Sequence, residues 1–374
     1  MKKYRRIILI LFAFFVLCFP PFSVFATTDN VAYVQAAKQP VLNYSSKALL
    51  KGDTFKLKLK YVKTSVSFSS QNKKVATVSP SGLVKAKSAG TAIITATCKG
   101  KIYRCKVTVS DTVDLIVFAG QSNMTGRGSA KAAPKLIDGA GYESKTVTDN
   151  GKLYTLKEPF GLNQDRGSLD DSGLRTGSLV TSFVNAYYTK TKTPVVAVSA
   201  TIAGSGCVSW SEIHYKEVAA RVKQAEKALK KRGIKIDNCY MVYMQGENDG
   251  FAKTSQKFYK KKLITMFNRV KKSCNVEKCL LIRIGKYTKD PDLYDDIVKA
   301  QTDVCKTNKN FVLVSTKAAA LKKSYYQADG IHLTQRGLNI LGKEAGLNAA
   351  SYKLTGTEPS LKDAKYGNTY KPQN

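Results

Sequence analysis

Leu115-Ile116-Val117-Phe118-Ala119 runs without a break into Gly120-Gln121-Ser122-Asn123-Met124. An unbroken apolar run of this length, closed by a glycine and polar residues, reads as a strand buried on both faces that ends in a turn. The pattern recurs down the chain. Val195–Ala200 leads to Ala203-Gly204-Ser205-Gly206-Cys207, and Tyr240–Met244 leads to Gln245-Gly246-Glu247-Asn248-Asp249. Leu280–Ile284 and Phe311–Ser315 give two more strands of the same kind. Between them lie amphipathic helices. One carries Val218, Val222, Ala225 and Leu229 at helical spacing, another Tyr259, Leu263, Met266 and Val270. Further helices are expected near Leu179–Tyr187 and Ile297–Val304, and one follows Asp329-Gly330-Ile331-His332. Alternating strands and helices predict an α/β domain over residues 113–352, with a parallel sheet covered on both faces. Ligands of such sheets bind beyond the carboxyl ends of the strands.

Residues 41–110 have a different texture. Phe55-Lys56-Leu57-Lys58-Leu59-Lys60 and Ser65-Val66-Ser67-Phe68-Ser69 alternate apolar and polar, and Ser79-Pro80-Ser81-Gly82 and Ser88-Ala89-Gly90 read as turns. A small β sandwich is expected there. Ahead of it, Lys2, Lys3, Arg5 and Arg6 precede an apolar run from Ile7 to Phe19, and Val24-Phe25-Ala26 offers small residues for cleavage. Residues 1–26 therefore read as a secretory signal peptide, 27–40 as a lead-in segment and 353–374 as a polar tail. Export to the cell exterior, with association to the cell surface, is the expected location.

The formal net charge is +34, and most of the excess lies outside the leader. A basic exported protein attracts polyanions, so an anionic cell-wall polymer or glycan is an expected partner, whereas export removes nucleic acid from the setting. Nothing beyond the leader suggests stable membrane insertion. Seven cysteines follow the leader, and Cys98–Cys105 and Cys274–Cys279 are candidate local disulfides. Their spacing matches no zinc pattern, so no metal is expected.

Chemistry is best sought among the residues after the strands. The chain has two histidines, His214 and His332. His332 follows Asp329 by three residues, while His214 lies at a helix start with no aspartate at that offset. Ser122 at the first turn, His332 as base and Asp329 as its orienting partner make a complete acyl-transfer set. Backbone N–H groups at Ser122 and in the Gly204 loop, with the Asn248 amide, are candidate oxyanion donors. Glu247 and Asp249 read mainly as holding loop backbone. Trp210, the only tryptophan, is either a sugar-stacking platform or packing.

Taken together, Gln121-Ser122-Asn123-Met124, the glycine loop, Gln245-Gly246-Glu247 and Asp329-x-x-His332 resemble the SGNH hydrolase superfamily, within it the sialate O-acetylesterase and acetylxylan esterase branch. The resemblance implies a three-layer flavodoxin-like fold and a serine carbohydrate esterase that removes O-acetyl groups without a cofactor. It casts Ser122 as nucleophile, His332 as base, Asp329 as its partner, and Ser122, Gly204 and Asn248 as oxyanion hole. Gln121, Arg127, Trp210, Gln245 and Glu247 become candidate substrate contacts. The branch usually has paired glycines and a small hydroxyl residue before the tryptophan. Here Ala203-Gly204-Ser205 stands instead, so Gly206 is the alternative donor to Gly204. Lys74-Val75-Ala76-Thr77-Val78, Gly82-Leu83-Val84 and Ala89-Gly90-Thr91-Ala92 resemble the group 2 bacterial Ig-like family, which implies a non-catalytic spacer or wall- and glycan-associating module. Two rivals are a glycan-binding adhesin with an inert esterase-like domain and a lipase-like esterase. The absence of an apolar lid in the sequence favours short acyl groups over the latter.

Overall fold

The computed structural model describes residues 38–164 and 175–371. The leader, most of the lead-in segment and the last three residues lie outside these. The chain divides into Met1–Gln39 and Pro40–Asn374, and everything below concerns the second unit.

Its first part is all β. The strands are β1 (Val41–Leu42), β2 (Ser46–Leu50), β3 (Thr54–Lys56), β4 (Leu59–Lys60), β5 (Ser67–Ser70), β6 (Ala76–Val78), β7 (Leu83–Ala86), β8 (Gly90–Cys98) and β9 (Lys101–Ser110). A four-stranded sheet ordered β2-β9-β8-β5 faces a three-stranded one ordered β3-β7-β6. The alternation seen in the sequence sends Leu57, Val84, Ile94 and Val107 into the core between them.

After a single residue the chain enters β10 (Thr112–Gly120), followed by α1 (Ser122–Thr125), β11 (Gly141–Lys145) and β12 (Lys152–Thr155). Then come α2 (Val180–Thr191), β13 (Val195–Thr201), α3 (Cys207–Ser209), α4 (Tyr215–Lys231), β14 (Lys235–Met244) and α5 (Glu247–Phe251). The remainder is α6 (Gln256–Ser273), β15 (Lys278–Ile282), α7 (Asp295–Thr307), β16 (Phe311–Ser315), α8 (Gln335–Thr355), β17 (Leu361–Lys362) and β18 (Thr369–Tyr370). The main sheet is ordered β12-β11-β13-β10-β14-β15-β16, parallel except for β12. Its five strands β13-β10-β14-β15-β16 follow the flavodoxin-like order. Helices α2 and α8 pack together on one face, and α4, α6 and α7 adjoin one another on the other. Because the chain leaves β10 toward β13 on one side and β14 on the other, the carboxyl end of β10 is the switch point where a crevice opens. All five expected strands are present.

Three findings depart from the sequence reading. The first is the β11–β12 pair at the sheet edge, which carries the buried polar residues Glu143 and Ser144 and so gave no apolar run. The second is the cysteines. All seven after the leader are buried and unpaired. Cys98 faces Lys101 across the β8–β9 hairpin while Cys105 faces Ile94, so the register separates them; Cys274 caps α6 and Cys279 lies inside β15.

The third is the segment read as a polar tail. Its first residues finish α8, and β17 and β18 then fold back so that Leu361 and Tyr370 join the main core. Asp363 between them takes two hydrogen bonds, of 2.6 and 2.7 Å, from Arg283, whose side chain is fully buried. Breaking one partner of a buried pair leaves an uncompensated charge. Asp363→Ala is therefore expected to destabilise the fold by about 3–5 kcal/mol, measured by chemical denaturation. A loss within experimental error would show that the hairpin contributes little.

Candidate active site

Ser122 begins α1, directly beyond the end of β10, and its position is set by Gly120. There φ is +141°, and a Cβ would stand 1.9 Å from Met244 O of the neighbouring β14, so a side chain has no room. This close approach seats the serine turn against the β14 strand end, where Gln121 N–H donates to Met244 O at 3.1 Å.

His332 lies between β16 and α8, 210 residues further on, yet its Nε2 is 2.8 Å from Ser122 Oγ. Its Nδ1 is 2.6 Å from Asp329 Oδ2. The other carboxylate oxygen of Asp329 accepts the N–H groups of Ile331 at 2.8 Å and His332 at 3.0 Å, which closes the turn and orients the ring. Partial burial alone would raise the Asp329 pKa. The bonds from the His332 ring and the two N–H groups outweigh it and hold the carboxyl below its ordinary value. With Asp329 ionised, Nδ1 carries the proton and Nε2 is free to accept the serine proton.

Asn123, to which the sequence reading gave no role, ties the two segments together. Its Oδ1 accepts Leu333 N–H at 2.9 Å, and its Nδ2 donates to Ile331 O at 3.2 Å, bracketing His332 on both sides. The same amide donates to Glu247 Oε1 at 2.8 Å. Glu247 is buried, and burial raises its pKa despite the bond from Asn123.

The other strand-end loops are joined by buried amides. Gln121 Oε1 accepts Gly246 N–H at 3.1 Å and Asn248 N–H at 3.4 Å. The Gln245 amide donates to Ser205 O at 3.0 Å and to Asp249. Asp249 in turn accepts Cys207 N–H through both oxygens, at 3.1 and 3.0 Å. Trp210 Nε1 donates to Ser205 Oγ at 2.7 Å, and the indole is 1% exposed. A sugar-stacking Trp210 is thereby ruled out. Gln121, Gln245 and Glu247 are likewise buried and engaged, which places them under the site rather than against a substrate. Of the five residues read as substrate contacts, only Arg127 is part-exposed, with its carbonyl accepting from Gln327 Nε2 at 2.6 Å. His214 packs against Trp210 with ring centroids 5.3 Å apart.

Gly204 and Asn248 are exposed at the rim, and Asn248 Nδ2 donates to Gly204 O at 2.9 Å, leaving its second N–H for a ligand. Gly204 has φ +66° and open space where a Cβ would be, whereas a Cβ on Gly206 would face Asp249 at 3.7 Å. Cys207 is no rival nucleophile. Burial and the adjacent Asp249 carboxylate push its thiol far above the ordinary range. Among the described residues no three His, Cys, Asp or Glu side chains gather into a group that could hold a metal.

The family profile described as carbohydrate esterase, sialic acid-specific acetylesterase, matches residues 112–350. The chain belongs to that family. A carbohydrate esterase domain thus follows a group 2 bacterial Ig-like domain, whose profile matches residues 36–109. Among solved structures, a protein from Arabidopsis thaliana shares the esterase fold, with 18% identity, a TM-score of 0.50 and coverage of 65% of this chain and 98% of that one. A carbohydrate acetylesterase from Xanthomonas citri aligns with 12% identity and a TM-score of 0.43 over 87% of this chain and 77% of its own. An acetyl-xylooligosaccharide esterase from Geobacillus aligns with 14% identity and a TM-score of 0.37 over 63% and 94%. A search of curated proteins finds no match.

The Asn123 clamp gives a direct test. Asn123→Ala frees both flanks of His332, and a misplacement of this kind is expected to lower acetate-ester turnover by about 100-fold. Hydrogen exchange should rise at Ile331–Leu333 in the same variant. Unchanged exchange there, with unchanged turnover, would show that the clamp holds nothing.

Proposed function

We propose that this carbohydrate esterase is an exported O-acetylesterase that works through an acetyl-enzyme on Ser122. The observation that carries the reading is the continuous chain Ser122 Oγ, His332 Nε2, His332 Nδ1 and Asp329 Oδ2, with contacts of 2.8 and 2.6 Å. In the first half-reaction Ser122 Oγ attacks the acetyl carbonyl carbon as His332 Nε2 takes the hydroxyl proton. The carbonyl oxygen becomes an oxyanion held by Ser122 N–H, Gly204 N–H and the second Asn248 N–H. Neither backbone group donates elsewhere among the described residues, so both are available at no cost in existing bonds. Collapse breaks the bond to the sugar oxygen, which leaves with the proton from His332. Water then gives a proton to the same nitrogen and attacks the acetyl carbon, releasing acetate and restoring Ser122. Asp329, kept ionised by its three bonds, stabilises the imidazolium that forms in each step.

The substrate is an O-acetylated glycan. Sialate, xylan and wall polysaccharide share this chemistry and differ in charge, and the net charge of +34 favours an acidic sugar, in line with the family's sialic acid-specific description. Among the described residues no helix is long and apolar enough to cross a membrane. The basic leader with its apolar run supports export.

Ser122→Ala and His332→Ala should each lower turnover of a chromogenic acetate ester by about 1000-fold or more, with unchanged circular dichroism. His214→Ala should remain near wild type. Asn248→Ala should reduce kcat by about 100-fold with little change in KM, because its donor meets the oxyanion rather than the ground-state carbonyl. Loss confined to KM would move Asn248 to sugar recognition, and loss in His214→Ala with activity in His332→Ala would overturn the assignment. Acetate release across a panel of acetylated sialosides, xylan and wall polysaccharide identifies the sugar.

A further inference from the structure

The Ig-like domain is docked on the esterase domain rather than strung from it. Leu50, at the end of β2, is fully buried in the esterase core, and its N–H donates to Tyr142 Oη at 3.2 Å. Asp138 accepts from Ala48 N–H at 2.7 Å and pairs with Lys47. On the other side Arg232 binds Asp53 at 2.6 Å and Lys51 O at 2.8 Å. Between these two anchors lies a cleft of about 1280 Å³, walled by both domains. That is larger than the pockets of about 300–1,000 Å³ that enclose small ligands, and it suits a polymer segment.

Its charge is one-sided. Lys223, Lys227 and Lys231 project from α4 at successive four-residue steps, about 6 Å apart along the helix, and Lys152 stands on β12. All four are exposed, and none has an ion pair among the described residues. Of the cleft's carboxylates, Asp53 and Asp138 are bound to Arg232 and Lys47, and Asp149 accepts from Tyr154 Oη. A row of like charges on one helix face repels itself unless an anion lies along it. The cleft runs from the amino ends of the strands, where α4 leads into β14, to Lys152, which pairs with Lys145 at the end of β11. The triad stands beyond the carboxyl end of β10, a nine-residue strand about 30 Å long, and none of its residues lines the cleft.

We infer that this interdomain cleft binds a segment of an acidic polysaccharide, through carboxylates spaced along the α4 lysine row, and holds the polymer whose acetyl groups reach the triad. This rests on the reading of the substrate as a glycan. Binding at the cleft raises the local concentration of substrate without touching the reacting atoms. It therefore acts on KM for a polymer and not on hydrolysis of a small ester.

The test uses the full chain. Affinity electrophoresis in polygalacturonate compares wild type with the triple variant Lys223→Glu, Lys227→Glu, Lys231→Glu. A control with the same net charge carries Lys257→Glu, Lys261→Glu, Lys272→Glu, all exposed on α6. The cleft variant should bind about tenfold or more weakly while the control stays within about twofold of wild type. KM for O-acetylated polygalacturonate should rise in the cleft variant alone, and all three proteins should hydrolyse a small acetate ester equally. Equal weakening in both variants would reduce the effect to net charge and overturn the proposal. So would absence of wild-type binding, or binding of inorganic polyphosphate in place of polygalacturonate. Failure of the wild type to hydrolyse the small ester is a separate result, which would sink the serine mechanism and leave the cleft to be judged by binding.

Discussion

Everything in the site depends on one side chain that spans a long gap in sequence. Asn123 sits next to the serine and grips the backbone on both sides of His332, which lies more than two hundred residues later. The flavodoxin-like sheet delivers the serine turn and the histidine loop to the same edge, but a sheet edge positions loops only coarsely. A proton transfer needs the donor and acceptor within hydrogen-bond reach. The two bonds from Asn123 narrow the gap, and the third, to Glu247, stops the amide from turning away. Glu247 is itself buried beneath His332, and burial raises its pKa against the opposing bond from Asn123.

Rigid support and exposed chemistry are divided between different residues. Gln121, Gln245 and Asp249 are buried and bonded to loop backbone or to one another, so that they fix each other's positions, and Glu247 is buried against the Asn123 amide. Gly204, Asn248 and Asp329 stand at the rim, open to a ligand. Residues of the two kinds meet within one short string, where α5 begins: Asn248 is exposed between the buried Glu247 and Asp249.

That division between support and chemistry explains what could be read from the sequence. Long apolar runs such as Val195–Ala200 and Phe311–Ser315 identify buried parallel strands without help from contacts, and the four strand-end segments identify the site. The grouping of Ser122, His332 and Asp329 was legible because the chain has only two histidines and one of them follows an aspartate. Polar residues were harder to place. Trp210, Gln245 and Glu247 look like sugar contacts in a string of letters and are interior struts in the fold, since burial of a polar group becomes visible only when its partner, distant in sequence, is known. Asn123 escaped notice for the same reason. The β11–β12 pair at the sheet edge and the β17–β18 hairpin, held by the Glu143 carboxylate accepting Gly161 N–H and by the Arg283–Asp363 pair, gave no apolar signal to find.

The central claim is that Ser122 carries the acetyl group between sugar and water. Rapid-quench mass spectrometry after mixing with an acetylated glycan tests it most directly, with proteolysis to locate the modification. The account predicts a transient acetyl group on the peptide containing Ser122, formed and lost at rates that match turnover. Steady release of acetate with no acetylated peptide at any time, under conditions where deacylation is slowed, would contradict it.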